Sequence, residues 1–120
     1  MFICGCSNNR LQKLENHVSL FISEQEPNTQ FTLVLDTISS FKWDELLIAG
    51  PYTHLDDIKG YNLKRFPNSI KHHDSFNFIG FIDNNKGVKW IQIKRNLISE
   101  IIKGGYKIYS KSDCKFNLEK

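Results

Sequence analysis

The chain has few cysteines, and they lack the spacings that make cysteine a structural residue. Its three cysteines, Cys4, Cys6 and Cys114, form an odd set without a CxxC pair, so neither a disulfide framework nor a tetrahedral zinc site is indicated. Apolar residues make up 40% and charged residues 24% of the chain, which is typical of soluble domains rather than membrane-spanning ones. The net charge is +3, and the chain has no run of like charges, which argues against a nucleic-acid-binding tail.

Motifs for catalysis and nucleotide binding are also missing. The chain has no G-x-S-x-G nucleophile elbow, and Cys114 is far in sequence from any histidine. Neither G-x-G-x-x-G nor G-x-x-x-x-G-K-[ST] occurs, so no cradle for nucleotide phosphates is expected. The sequence therefore predicts a protein that is not an enzyme and binds no cofactor.

The 120 residues suffice for one hydrophobic core. Apolar residues recur at spacings of three and four, which predicts an amphipathic helix over residues 9–26 that ends before Pro27. Its apolar face consists of Leu11, Leu14, Val18, Phe21 and Ile22. We expect residues 9–120 to form a single α+β domain, in which an antiparallel sheet of about four to five strands carries this N-terminal helix on one face.

The strands are predicted from alternation and from buried apolar runs. Residues 45–49 indicate a strand buried on both faces, and an Asn- and Gly-containing turn over 83–87 joins a hairpin. The predicted strands cover residues 31–36, 45–49, 76–82, 88–94, 106–109 and 115–118. A capping box predicts a short helix from Thr53, another helix is expected over 96–102, and residues 60–74 are expected to form an irregular functional loop.

The first residues carry a possible processing signal. Ile3, Cys4, Gly5 and Cys6 follow a short apolar stub and precede a polar stretch, a pattern that resembles the lipobox of bacterial lipoproteins. The resemblance implies that Cys6 is acylated and that residues 1–8 are a leader remnant or tether. The basic and most of the apolar parts of a signal peptide do not precede it.

Two interpretations of this start stay open. In one, the true start lies upstream, palmitate labelling depends on Cys6, and the domain is lipid-anchored in the cell envelope. In the other, the stub is chance and the protein is cytoplasmic. A Cys4 and Cys6 pair is also a weak pattern for soft metals, because no third ligand lies nearby.

The most distinctive segment is the stretch from Phe41 to Thr53. Trp43 and Asp44 lead into the buried strand, and Tyr52 follows its exit. The segment resembles one found in small uncharacterised bacterial lipoproteins, a resemblance that brings no known activity. Trp43, Asp44 and Tyr52 are the candidate binding residues, with structural roles for the aromatic rings as the alternative.

Other candidate sites have weaker patterns. His72, His73 and Asp74, with His54 or Asp56, supply metal-ligand types, although solvated side chains explain them as well. Strand aromatics beside lysines offer a single-stranded nucleic-acid surface, yet no RNP-like or helix-turn-helix motif supports one.

The sequence favours an extracytoplasmic binding or interaction domain. Its partner would be an unidentified protein or small ligand, with the membrane as a second partner if Cys6 is acylated. A cytoplasmic inhibitor or immunity-type protein is the alternative, and a nucleic-acid binder is a weaker one.

Overall fold

The computed structural model describes residues 9–50, 53–67, 76–94 and 105–119. It confirms the predicted α+β class: one amphipathic helix packs with antiparallel strands. In chain order the helix and strands are α1 (Gln12–Ser23), β1 (Gln30–Val34), β2 (Glu45–Ala49), β3 (Phe76–Asp83), β4 (Lys86–Lys94), β5 (Tyr106–Ser110) and β6 (Lys115–Glu119).

The strands divide into two antiparallel sheets, where the sequence predicted one. The larger sheet has the order β4-β3-β2-β5, and β1 pairs with β6 in a separate two-stranded ribbon. The division occurs at the 3-10 turn Lys111–Asp113, which separates β5 from β6. The backbone N–H of Leu35 then donates to the carbonyl of Cys114 at 2.8 Å, extending the ribbon by one pair.

One face of the larger sheet carries the main core. Val18 and Ile22 of α1 are buried there, as the helical spacing predicted. Phe31 and Leu33 of β1 and Leu35, which follows it, belong to the same core, and Phe31 meets Phe21 of α1 edge to face with 5.9 Å between ring centroids. The helix and the β1–β6 ribbon thus share the cover of this face.

The second face of the larger sheet is covered by residues 53–67. Leu55 and Ile58 belong to its core, and so do Leu63 and Phe66 from the segment expected to be an irregular functional loop. Residues 60–67 are irregular, as expected. Their apolar side chains Leu63 and Phe66 are buried and close the sheet. Residues 68–74, including His72, His73 and Asp74, lie outside the described residues.

Two glycines create the place where Phe66 fits. A Cβ atom on either Gly80 or Gly87 would lie 2.6 Å from the ring of Phe66. Real side chains do not approach so closely, so the ring can rest on the sheet only over residues without a side chain. With both faces covered, β2 is buried on both sides, as its continuous apolar run predicted.

The capping box predicted at Thr53 does not form. His54, rather than Thr53, precedes the 3-10 helix Leu55–Asp57, and no side chain caps it. The Thr53 hydroxyl donates instead to the carbonyl of Gly50 at 2.7 Å, with the carbonyl of Gly105 at 3.1 Å. A 3-10 turn of three residues offers little to cap, whereas the buried hydroxyl needs an acceptor.

The hairpin of β3 and β4 is confirmed. Asp83 pairs with Lys86 across a two-residue turn, whose residues Asn84 and Asn85 have φ of 51° and 65°. Asparagine tolerates this left-handed conformation better than other side chains do, and such turns match the twist of the strands they join. The helix predicted over 96–102 lies outside the described residues.

Candidate functional site

Trp43, the first candidate binding residue, lies inside the main core. Its side chain is 3% exposed, and its ring meets Phe81 edge to face at 5.1 Å between centroids. The indole N–H donates to the carbonyl of Ile38 at 2.7 Å, and the ammonium of Lys111 lies 4.7 Å from the ring centroid. The ring is therefore a structural anchor and offers no free face to a ligand.

Of the other predicted site residues, Asp44 lies within the described part of the chain. Asp44 is exposed, and its backbone N–H and C=O bond to Ile82 and Lys111 at the junction of the strands. Tyr52 and Cys6 lie outside the described residues. Within the described ranges, no group of three His, Cys, Asp or Glu side chains is placed to hold a metal ion.

A better candidate emerges from comparing strand edges, beginning with β4. Three of its backbone N–H groups that β3 does not use have partners: Gly87 donates to the carbonyl of Asn62, Trp90 to that of Asn9, and Gln92 to the carboxylate of Glu15. These bonds measure 2.9, 3.1 and 2.8 Å. The edge is thus closed by two chain segments and one side chain, which prevents pairing with another strand.

Among the described residues, no segment pairs with the outer edge of β1. In antiparallel pairing only alternate residues hydrogen-bond to a given neighbouring strand. The bond from the N–H of Leu35 to the carbonyl of Cys114 shows that Leu35, and with it Leu33, is a residue that bonds towards β6. The N–H and C=O groups of Thr32 and Val34 therefore point away from β6. Within the described part of the chain, nothing hydrogen-bonds to these four groups.

The open edge of β1 faces α1 across a groove of about 360 Å³. One wall of the groove is made of the consecutive residues Thr32 to Leu35. Because the side chains of successive strand residues point to opposite faces, a surface that includes all four residues is the edge of the strand. Opposite it lie side chains three or four positions apart on one face of the helix. The α1–β1 groove, as we call it, is lined by Leu14, His17, Val18, Phe21, Thr32, Leu33, Val34, Leu35 and Ile38.

The two ends of the α1–β1 groove differ. One end is closed where the chain turns from α1 into β1 and Phe21 contacts Phe31. At the other end the groove meets a second depression of about 350 Å³, which shares Leu14 and Ile38 with it. The indole N–H of Trp43 donates to the carbonyl of Ile38, so this candidate residue fixes the position of one residue that lines the groove.

The lining of the α1–β1 groove is mainly apolar. His17 is its one ionisable lining residue, and the Thr32 hydroxyl donates to the side-chain oxygen of Asn117 at 2.9 Å. The thiol of Cys114, a nucleophile type elsewhere in the core, has its pKa raised to about 12, mainly by burial. A protonated, buried thiol is a poor nucleophile.

Sequence reasoning missed this groove, although one signal for it is visible. The alternate positions that face away from the core hold Thr32, Val34 and Asp36. Val34 is the apolar residue among them, and its side chain is 41% exposed. Phe21 of α1 is likewise 40% exposed. That the edge between these residues lacks a partner becomes visible only once β1 is seen to pair with β6.

Comparison of the chain with protein-family models, with curated protein sequences and with solved structures finds no match. Among the described residues, no helix is long and apolar enough to cross a membrane. Evidence on function therefore comes from the α1–β1 groove and from the residue patterns of the sequence.

Proposed function

We propose that the chain is a binding domain that captures a segment of a partner protein in the α1–β1 groove. The observation that carries this proposal is the combination of an apolar helix face with a strand edge that has no partner among the described residues. Such a surface is left open at a cost, because unpaired edges promote aggregation. The β4 edge is closed by three hydrogen bonds. The outer edges of β5 and β6 also end their sheets, but no residue of either strand lines the α1–β1 groove.

Tethering through an acylated Cys6 remains part of the proposal. The lipobox-like residues Ile3, Gly5 and Cys6 support it, and Asn9 follows Cys6 by only a few residues. Because Asn9 is bonded to Trp90 on β4, and each residue spans at most about 3.5 Å, a lipid on Cys6 would hold the β4 side near the membrane surface. The domain that carries the α1–β1 groove would then be attached to the membrane through its β4 side.

The test is selection from a displayed library of random twelve-residue peptides on the full chain. We expect apolar-rich peptides that shift the backbone amide resonances of Thr32 to Leu35. Phe21→Ala should weaken their binding by about tenfold, since a groove-lining aromatic is the type of residue that anchors a partner. Leu20→Ala is the matched control, because Leu20 is an exposed helix residue, 57% accessible, outside the groove.

Two results would overturn the proposal. One is a selection that enriches no peptide. The other is a set of selected peptides whose binding is unaffected by Phe21→Ala and whose resonance shifts map to another surface.

A further inference from the structure

The geometry points to β-strand addition as the binding mode: an extended, proline-free segment of the partner pairs with β1 as the third strand of the β1–β6 ribbon. This inference rests on the proposed function, because it specifies the occupant of the same α1–β1 groove. It adds what is recognised, namely a backbone in the extended conformation with apolar side chains at alternate positions.

The hydrogen-bonding groups of the groove define that backbone. Thr32 and Val34 each turn one N–H and one C=O to the open edge, and residues two apart in a strand are separated by about 7 Å. A second strand offers donors and acceptors at this repeat. A helix bonds its own backbone groups and would leave all four edge groups without a partner.

The opposite wall selects the side chains. Leu14, Val18 and Phe21 of α1 are apolar, and the described groove lining contains no carboxylate and no lysine or arginine. Side chains of an added strand would alternate between the two faces of the ribbon. Those on the face of Leu33 and Leu35 would meet the apolar residues of α1, so these positions should be apolar. The five residues of β1 span about 17 Å, which sets the recognised segment at about five or six residues.

A partner segment fits the groove better than a second copy of this edge does. The edge of β1 shares the groove with α1 of its own chain. In a symmetric pairing of two β1 edges, each edge would bring its own helix into the space the other helix occupies. A single extended segment carries no such wall, so it can enter where another copy of β1 cannot.

The deciding experiment is an N-methyl scan of the strongest peptide from the selection, bound to the unmodified full chain. An added strand directs only alternate N–H groups to β1. N-methylation should therefore weaken binding by about tenfold or more at every second residue of the bound core, since it removes a hydrogen bond and adds a clash. At the residues between, the change should be less than about threefold.

Protein variants give an independent readout. The N–H of Val34 faces the open edge, so Val34→Pro should abolish peptide binding while the chain keeps its far-UV circular dichroism, as prolines on free edges do. Val34→Thr keeps the N–H and the branched shape and should bind the peptide as the original chain does. If Val34→Pro fails to fold, the scan on the unmodified chain still decides.

Failure of this inference is distinguishable from failure of the proposed function. If a peptide binds the groove but tolerates N-methylation equally at all positions, strand addition is overturned and groove binding stands. If sedimentation shows that the free chain is a dimer which the peptide dissociates, the occupant is a second copy and the assignment to a partner segment is overturned.

Discussion

At the scale of single residues, Cys114 illustrates how burial determines chemistry. Its side chain is 0% exposed, and its thiol lies 3.3 Å from the carbonyl oxygen of Ser110. Burial raises the pKa of this thiol to about 12, and the neighbouring carboxylates of Asp36 and Asp113 add to the shift while Lys111 opposes it. The folded chain therefore holds the proton far more strongly than the unfolded chain does.

This difference predicts a loss of stability in alkali. The folded-state pKa of Cys114 is raised, so its contribution is complete below the unfolded value near 8.5 and is lost as the pH rises towards 12. The free energy of unfolding should fall by up to about 1.4 kcal/mol per pH unit in that range. Urea unfolding at several pH values measures it.

Cys114→Ala is the matched variant for this prediction. It should lower stability by a constant amount, through the cavity it leaves, and should flatten the alkaline slope. Part of the slope will persist, because burial also raises the pKa of Tyr61 and of Tyr109. An unchanged slope in Cys114→Ala would mean that the thiol does not contribute.

At the scale of elements, Glu15 joins the helix to the sheet. Its carboxylate accepts two hydrogen bonds from the guanidinium of Arg10, at 3.0 and 2.8 Å, and one from the backbone N–H of Gln92. One acidic residue in the first turn of α1 thus fixes the segment before the helix and closes part of the β4 edge.

Glu15→Ala should open this edge. The N–H of Gln92 loses its acceptor, and the expected cost is about 1–3 kcal/mol, because the bond is to a charged group. Amide hydrogen exchange at Gln92 should accelerate, while Glu15→Gln, which keeps an acceptor oxygen, should show a smaller effect. Glu24→Ala, at the exposed end of the same helix, is the control, and exchange as fast as in Glu15→Ala would argue against the edge-closing role.

At the scale of the whole molecule, the two faces of the sheet should unfold together. The two tryptophans report on different faces, since Trp43 lies in the main core and Trp90 packs against the second. Trp43→Phe and Trp90→Phe each leave one reporter. In each variant, the urea midpoint from fluorescence should equal that from far-UV circular dichroism, and an earlier transition of Trp90 would show that the second face opens separately.

The elements were predictable to the extent that local pattern determines them. The periodicity of Val18 and Ile22, the buried run of β2 and the Asn84–Asn85 turn each carry their own signal. The cover formed by Phe66 was not predictable, because it depends on Gly80 and Gly87, which are distant in sequence. The α1–β1 groove was missed for the same reason: an edge without a partner is a property of the sheet, and no local pattern records it.

The pairing of β1 has a consequence for synthesis on the ribosome. Gln30 pairs with Glu119 and Val34 with Lys115, so β1 emerges long before β6, its strand partner among the described residues, is translated. During that interval both of its edges are exposed, and such non-local pairing is slow to form. We expect nascent chains that lack β6 to leave β1 unpaired, which makes these five residues the segment that a chaperone would need to shield.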